Sequence, residues 1–277
     1  MKFRTVCTAI SSPADTGTLT AAMGCARLWQ SHLDVICTAT HTFEPEVMMP
    51  DFGMPGVIET LTDDAERDAR TALDQIEAMA RAALAHEAFG WSCQRRQGDS
   101  VSVARSVVDA CRFADLAVLA HASRTDVENH TLFSAMLSGS RVPVLLVPPS
   151  HTPRFTRIVV AWDDSPQALA AIRAALPLLE CASAVSLLMV GPDTADDVTP
   201  AEAVALMLSR HNVRVTVTHR PRDKTAIADV LKAFAAEQRA DLIVMGAYGH
   251  SKMRERLLGG VTLSMLRNPG VPLFLAH

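Results

Sequence analysis

The chain has 277 residues, of which 49% are hydrophobic and 20% are charged, and its formal net charge at pH 7 is −4. This length favours two domains of average size, and the apolar content is sufficient for a large core, which excludes global disorder. The acidic excess argues against a nucleic-acid-binding protein, and no apolar run is long enough to cross a bilayer.

The cysteines and the N-terminal segment indicate a cytoplasmic protein. Five of the six cysteines lie in the first half and none has metal-like spacing, so we interpret them as reduced, mostly buried thiols. The N-terminal MKFRTVCTAISS is more typical of a first strand than of a secretory signal.

The first half of the chain combines short apolar strands with one long helix. Its predicted strands are FRTVCTAI at 3–10, LDVICTAT at 33–40, ADLAVLA at 114–120 and RVPVLLVP at 141–148. A charge-rich helical segment is predicted at 57–88, after the loop HTFEPEVMMPDFGMP, whose methionines we interpret as core filling. QGDS at 97–100 is typical of a helix N-cap.

The second half alternates strands and helices in the same order. Its predicted strands lie near 157–163, 184–190, 213–219, 241–246 and 271–276. Two helices each carry one apolar stripe with helical spacing. The stripe after Asp163 consists of Leu169, Ile172, Leu176 and Leu179, and the stripe after Thr225 consists of Ile227, Val230, Leu231 and Phe234.

The two halves are copies of one unit. ADLAVLA matches ADLIVMG at 240–246, and RVPVLLVP matches GVPLFLAH at 270–277; we also align FRTVCTAI with TRIVVAWD and LDVICTAT with AVSLLMVG. Runs such as LIVM are apolar on both faces, as expected for parallel strands covered by helices on both sides. We therefore predict two tandem Rossmann-like, doubly wound α/β domains, at 1–150 and 155–277, joined within PPSHTPRF.

Two features of the second half meet where its strands are predicted to end, which is where open parallel sheets bind ligands. Asp163 ends the strand IVVAW, and the glycine-rich loop GAYGHSKMRERLLGGVT follows the fourth strand. Gly246 and Gly249 would allow close approach of the backbone, and Gly259 with Gly260 would open a helix whose free N–H groups bind anionic oxygen. The pattern favours a polyphosphate held by backbone donors, with Asp163 on a sugar or base.

Each feature also has an ordinary structural interpretation. Asp163 and Ser165 can form a helix N-cap pair, the glycine pair can make only a tight turn, and the basic residues of the loop can form a solvated face. Those basic residues are Lys252, Arg254 and Arg256. Together with the glycine spacing, however, the combination favours a nucleotide site.

The spacing Gly246-x2-Gly249-x9-Gly259 after a buried strand resembles the nucleotide-binding signature of the universal stress protein family, and Asp163 after IVVAW is similar to that family's adenosine-contacting aspartate. The resemblance covers both halves. It implies five-stranded parallel sheets in the order 3-2-1-4-5 with helices on both faces, ATP as ligand, a stress-response role and a cytoplasmic location. It also implies pairing through the last strands, in a homodimer or an internal pseudo-dimer.

The resemblance implies a set of binding residues in the second half. Ala161 and Asp163 would lie near the adenosine, Val190 near the base, and Gly246, Gly249, Gly259 and Gly260 along the ribose and phosphates. The family has Ser or Thr directly after the third glycine; this chain has Gly260 there, so the hydroxyl of Thr262 is the next candidate for phosphate contact.

The first half lacks these features under the alignment given above. Ile10 stands at the position of Asp163, and Ala120 and Ser123 stand at those of the first two glycines. We therefore predict that only the C-terminal domain binds nucleotide and that the first domain is a folded partner for it.

The leading hypothesis is a binding protein that uses nucleotide occupancy as a signal. The alternatives are weak ATP hydrolysis using Asp163 or Asp164 with Mg²⁺, and a protein–protein interaction module that binds no nucleotide. No catalytic residue is predicted, because GxSxG, HExxH and Walker lysine patterns are absent from the sequence. His121 and His130 fit no ligand spacing and are predicted to be surface histidines rather than metal ligands.

Overall fold

A computed structural model describes residues 2–40, 55–121, 127–148, 151, 154–191, 199–221, 224–247, 260–267 and 269–277. In the first half these residues form β1 (Thr5–Ile10), α1 (Thr16–Trp29), β2 (His32–Thr40), α2 (Pro55–Leu84), β3 (Trp91–Gly98), α3 (Ser100–Cys111), β4 (Leu116–Ala120), α4 (Val127–Gly139) and β5 (Val144–Val147). In the second half they form β6 (Arg157–Trp162), α5 (Pro166–Ala174), α6 (Leu176–Leu179), β7 (Ala184–Gly191), α7 (Thr199–Arg210), β8 (Val215–Pro221), α8 (Ile227–Glu237), β9 (Leu242–Gly246), α9 (Gly260–Arg267) and β10 (Leu273–Ala276).

The ten strands of the described residues belong to one sheet, in the order β3-β2-β1-β4-β5-β10-β9-β6-β7-β8. The α/β class and the doubly wound arrangement are confirmed, and each half follows the predicted order 3-2-1-4-5. The two five-stranded halves are continuous, because the last strands pair with each other, as in the internal pairing that the resemblance implied. β5 and β10 run antiparallel, with Leu145 opposite Phe274 at the centre of the join, whereas the strand pairs within each half are parallel.

Helices cover both faces of this sheet. The side chains of α1, α2, α5, α6 and α7 belong to the core on one face, and those of α3, α4, α8 and α9 belong to the core on the other. Both cores continue across the join between β5 and β10. The two halves are therefore held together by buried apolar contacts as well as by backbone hydrogen bonds.

The repeated Ala-Asp-Leu motif has a structural reason. Oδ2 of Asp115 accepts hydrogen bonds from the first two backbone N–H groups of the β1 region, at 2.6 and 3.0 Å. Asp241 accepts the equivalent pair before and at the start of β6, at 2.9 and 3.1 Å. Each aspartate therefore fixes the beginning of the central strand in its half, where amides would otherwise lack partners.

The strand register corrects one alignment made from the sequence. The equivalent pairs across the central strands are Val6 with Leu116 and Ile158 with Leu242. This register places Ser11, and not Ile10, at the position of Asp163. The apolar runs of β1 and β6 align almost equally well one residue apart, because strands buried on both faces have no polar alternation to fix the offset.

The helices differ in detail from the sequence expectation. The stripe from Leu169 to Leu179 was predicted as one helix, but it is divided at Ala175 between α5 and α6. Pro177 lies in the first turn of α6, where a missing backbone N–H is tolerated. In the interior of one continuous helix, the same proline would remove a hydrogen bond and break the helix. Among the described helices, none has the length and apolar character needed to cross a membrane.

Candidate functional site

The carboxyl ends of β6, β7 and β9 lie at one edge of the second half, because these strands are adjacent and parallel. Three of the predicted site residues follow directly from this arrangement. Asp163 comes immediately after β6, Val190 is the second-last residue of β7, and Gly246 is the last residue of β9. The topology therefore brings three positions far apart in sequence to the same edge, as expected for a ligand site in an open sheet.

Asp163 begins the turn that leads into α5. Its Oδ1 accepts a hydrogen bond from the backbone N–H of Ser165 at 3.2 Å, and the hydroxyl of Ser165 in turn accepts from the N–H of Ala168 at 3.0 Å. Ser165 is thus the helix N-cap, and Asp164 between them has a left-handed φ of 59°. The ordinary capping roles are therefore present, but the side chain of Asp163 remains exposed to solvent.

Gly246 is packed against the same turn. A Cβ atom at this position would lie 2.6 Å from the backbone N of Ala168 and 2.7 Å from the backbone C of Gln167. Both distances are too short for real carbon contacts, so only glycine allows β9 and the first turn of α5 to approach this closely. Sequence reasoning attributed this glycine to a ligand's approach, whereas in the structure it is the backbone of α5 that approaches.

At this edge, different apolar side chains lie on the two faces of the sheet. Ala161 and Val190 are both partly buried on the face that α8 and α9 cover. Trp162 points to the opposite face and is 6% exposed. Within the described part of the chain its indole Nε1–H is buried and has no hydrogen-bond acceptor.

The helix α9 begins at Gly260, which is exposed, and an added Cβ there would meet no atom within 4 Å among the described residues. Nothing in the described part of the chain therefore requires glycine at position 260, and a serine would fit against those residues. Thr262 is only 5% exposed, so its side chain is mostly covered rather than open to solvent at this edge. On α8, Nζ of Lys232 donates to the backbone oxygen of Ser264 at 3.3 Å and so ties α9 to its neighbour.

Several predicted loop residues lie outside the described residues. These are Gly249, Gly259, Lys252, Arg254 and Arg256, together with residues 48–54 of the MMPDFGMP stretch in the first half.

The equivalent edge of the first half is occupied by the protein's own groups. Oδ2 of Asp15 accepts from the backbone N–H groups of Ser11 and Ser12, at 2.8 and 2.9 Å. The hydroxyl of Thr38, at the position equivalent to Val190, donates to the backbone oxygen of Ile10 at 3.2 Å. Sequence reasoning missed Asp15, although Ser12-x-x-Asp15 before an apolar helix is a recognised signal of side-chain capping.

His121 connects the halves. It follows β4, and its Nε2 lies within hydrogen-bond distance of the backbone oxygen of Leu266 on α9. This contact, with a partly buried ring, corrects the prediction of a surface histidine; the side chain of His130 lies outside the described residues. Among the described residues there is no group of three His, Cys, Asp or Glu side chains able to hold a metal ion.

A surface pocket of about 510 Å³ lies elsewhere in the second half, and is lined by Ala205, Ser209, Asn212, Val213, Arg214 and Val215. These residues are at the end of α7 and the start of β8, so the pocket adjoins the amino ends of the strands and not the edge that carries Asp163.

Comparison with known proteins identifies the second half most clearly. Residues 154–277 match the model of the Universal stress protein family, which confirms the resemblance noted in the sequence. No curated protein matches the sequence at a significant level.

Solved structures extend the likeness in fold to the whole chain. A universal stress protein from Archaeoglobus fulgidus DSM 4304 has a TM-score of 0.70 at 17% identity, covering 98% of this chain and 97% of that one. A functionally unknown protein from Pseudomonas aeruginosa PAO1 has a TM-score of 0.59 at 14% identity, covering 99% of this chain and 92% of that one. At these identities the likeness shows the shared fold of both halves.

Proposed function

We propose that this chain, whose residues 154–277 belong to the universal stress protein family, binds one adenine nucleotide, with ATP as the leading candidate. The proposal includes the division into a binding domain at 155–277 and a partner domain at 1–150. In it, nucleotide occupancy of the second domain is the signal that the protein provides in a stress response.

The observation that best supports a single site is the difference between two equivalent edges of the sheet. In the second half, the carboxylate of Asp163 is exposed beside an apolar surface formed by Ala161 and Val190. In the first half, Ser11 replaces the aspartate, and the carboxylate of Asp15 already bonds the loop amides. One edge therefore offers an exposed acceptor for ligand hydroxyls, whereas the other satisfies its own donors.

Each residue of the proposed site has a role that its chemistry supports. Asp163 would accept hydrogen bonds from the ribose, while Ala161 and Val190 would contact the base. Backbone N–H groups at Gly249, Gly259 and Gly260 would bind the phosphates at the start of α9, where the helix dipole favours negative charge. In this proposal Gly246 acts indirectly, by allowing α5 and β9 to pack closely, and Thr262 lies in the first turn of α9.

Magnesium would accompany ATP chiefly through the phosphate oxygens, with Asp163 or Asp164 as candidate carboxylates. In such sites Mg²⁺ is typically held by one or two carboxylates plus phosphate.

Calorimetric titration with ATP and Mg²⁺ tests the proposal. We expect wild-type protein to bind one nucleotide per chain, and Gly249→Val to weaken binding by at least tenfold, about 1.4 kcal/mol, because a branched side chain would block the backbone's approach. Trp162, buried directly before Asp163, supplies a fluorescence signal for the same titration.

The matched control is Ser123→Val, which places the same side chain at the equivalent position of the first half and should leave affinity unchanged. Equal affinity in wild type and Gly249→Val, or a stoichiometry of two nucleotides per chain, would contradict a site confined to the second half.

A further inference from the structure

Two thiols are in contact on the outer strands of the first half. Cys37 on β2 and Cys93 on β3 are diagonal neighbours, since the register places Cys37 opposite Arg95 and Cys93 opposite Val35. Their Sγ atoms lie 3.4 Å apart, and both thiols are free. A disulfide requires a separation of about 2.0 Å, so the sulfur atoms are already close to bonding distance and point to the same face of the sheet.

The two thiols have different surroundings. Cys37 is fully buried, whereas Cys93 is only half-buried and can be reached by a small solute. The hydrogen bond between the two thiols lowers the pKa of Cys93, and the positive charges of Arg81 and Arg95 lower it further, against the opposing effects of burial and Glu77. The same hydrogen bond, together with burial, raises the pKa of Cys37. The pair therefore consists of a partly exposed thiol whose pKa is lowered and a buried thiol whose pKa is raised.

We propose that Cys37 and Cys93 form a modification site: a dithiol that hydroperoxides oxidise to a reversible disulfide between β2 and β3. Cys93 is the reacting thiol and Cys37 is the resolving thiol.

The disulfide forms in two steps. The Cys93 thiolate attacks a peroxide oxygen, so an S–O bond forms, the O–O bond breaks, and the leaving alkoxide or hydroxide takes up a proton. Cys37 sulfur then attacks the sulfenic acid, which forms the S–S bond, breaks the S–O bond and releases water with the Cys37 proton. The hydroperoxide is the two-electron oxidant, and an external thiol returns the pair to the reduced form.

A second thiol pair in the same half provides an internal control. Cys7 and Cys111 hydrogen-bond to each other, and this bond with burial raises the pKa of Cys7. Both are almost completely buried, with 1% and 0% of their surfaces exposed. If exposure and nearby positive charge determine reactivity, this pair stays reduced under conditions that oxidise Cys37 and Cys93.

The experiment uses full-length protein carrying Cys181→Ser, because Cys181 is exposed and would react by itself. Hydrogen peroxide is added for timed intervals, free thiols are blocked with an alkylating reagent, and cross-linked peptides are identified by mass spectrometry with and without dithiothreitol. We expect a dithiothreitol-sensitive link between residues 37 and 93, formed about tenfold or more faster than any link between 7 and 111.

Variants separate the two roles. Cys37→Ala should leave Cys93 oxidisable but trap it as sulfenic or sulfinic acid, whereas Cys93→Ser should leave Cys37 reduced. Arg81→Gln should slow formation of the link by about threefold or more, because it removes a positive charge beside the thiolate. The matched control is Arg67→Gln on the same helix, an exposed arginine that pairs with Asp64 and should leave the rate unchanged.

Three results would overturn the proposal: no link between 37 and 93 at any peroxide concentration that leaves the protein folded, equal rates for the two thiol pairs, or oxidation of Cys37 in Cys93→Ser at the wild-type rate.

Discussion

At the residue scale, Gly246 shows how one missing side chain organises an edge of the sheet. Its Cα hydrogen faces the backbone of α5, with Ala168 N and Gln167 C within 2.6 and 2.7 Å of where a Cβ would be. Because α5 also begins with the turn that holds Asp163, the glycine indirectly fixes the exposed carboxylate of the proposed site.

Replacing this glycine should therefore destabilise the protein through packing. We expect Gly246→Ala to lower the free energy of unfolding by about 1–3 kcal/mol, because backbone atoms of α5 would have to move. Urea unfolding followed by tryptophan fluorescence measures the change. The control is Gly191→Ala at the end of β7, where the nearest atom to a new Cβ is His219 Nε2 at an ordinary 3.7 Å, and the effect should stay within about 0.5 kcal/mol. Equal stability of the two variants would show that the contact at Gly246 is not tight.

The residues of the site were only partly accessible to sequence reasoning. The position of Asp163 after a buried strand and of Gly246 at the end of another could be predicted, because strand order determines which ends meet. The equivalence of Ser11 with Asp163 could not be predicted. It depends on the register of β1 and β6 against their neighbouring strands, and both strands are largely apolar. The hydrogen bonds of Asp15 and the burial of Thr262 depend on local turn and packing geometry, which spacing alone does not encode.

At the element scale, α3 shows a cap that the sequence did predict. Asp99 in QGDS accepts hydrogen bonds from the backbone N–H groups of Val101 and Ser102, at 3.0 and 2.9 Å, and from the hydroxyl of Ser102. The hydrogen bond from the Ser102 hydroxyl is the main reason why the pKa of Asp99 lies below its ordinary value, and the backbone N–H bonds lower it further. The ionised carboxylate is therefore the form that the helix N-terminus stabilises.

This cap should give a pH-dependent contribution to stability. Because the folded pKa lies below the unfolded value of about 3.9, the contribution is complete above that value and is lost as the pH falls through the folded pKa. Asp99→Asn keeps a capping oxygen without the charge, so the wild type should have the higher Tm at pH 7 and the difference should shrink below about pH 4. Thermal unfolding of both proteins between pH 7 and pH 3 measures it. A difference in Tm that is constant over this range would contradict a charge-based cap.

The limits of element prediction follow from physical causes. Strand and helix positions were largely recoverable because apolar runs and stripes report burial directly. The division between α5 and α6 was missed because the stripe continues through Pro177, and a stripe reports which side chains are buried rather than whether the backbone is continuous.

At the scale of the whole molecule, the antiparallel join of β5 and β10 makes the two copies into one body. Both strands are fully buried, and Leu145 and Phe274 at the centre have no exposed surface. Each strand has neighbours on both sides, so within this sheet neither last strand has a free edge with which to pair a second chain.

The pairing of β5 with β10 should keep the two halves together after the chain is cleaved between them. With a protease site inserted between Ser150 and His151, the two fragments should remain together after cleavage and elute at the position of the intact chain. Leu145→Asp in the same cleavable protein places a charge in the buried join and should separate the fragments or prevent stable folding of the pair. Separation of the fragments without this substitution would mean that the covalent link, rather than the join, holds the halves together. Size-exclusion chromatography distinguishes these outcomes.

The antiparallel pairing of β5 and β10 also determines the relative strand direction of the two halves. Strands of the two halves point in opposite directions, so the ligand edge of one half adjoins the amino edge of the other. α9, eight residues and about 12 Å long, starts beside the proposed phosphate site and ends where the carbonyl of Leu266 meets His121 of the first half. If the nucleotide binds as we propose, it therefore holds the start of the helix whose other end contacts the first half, the half for which we propose no site.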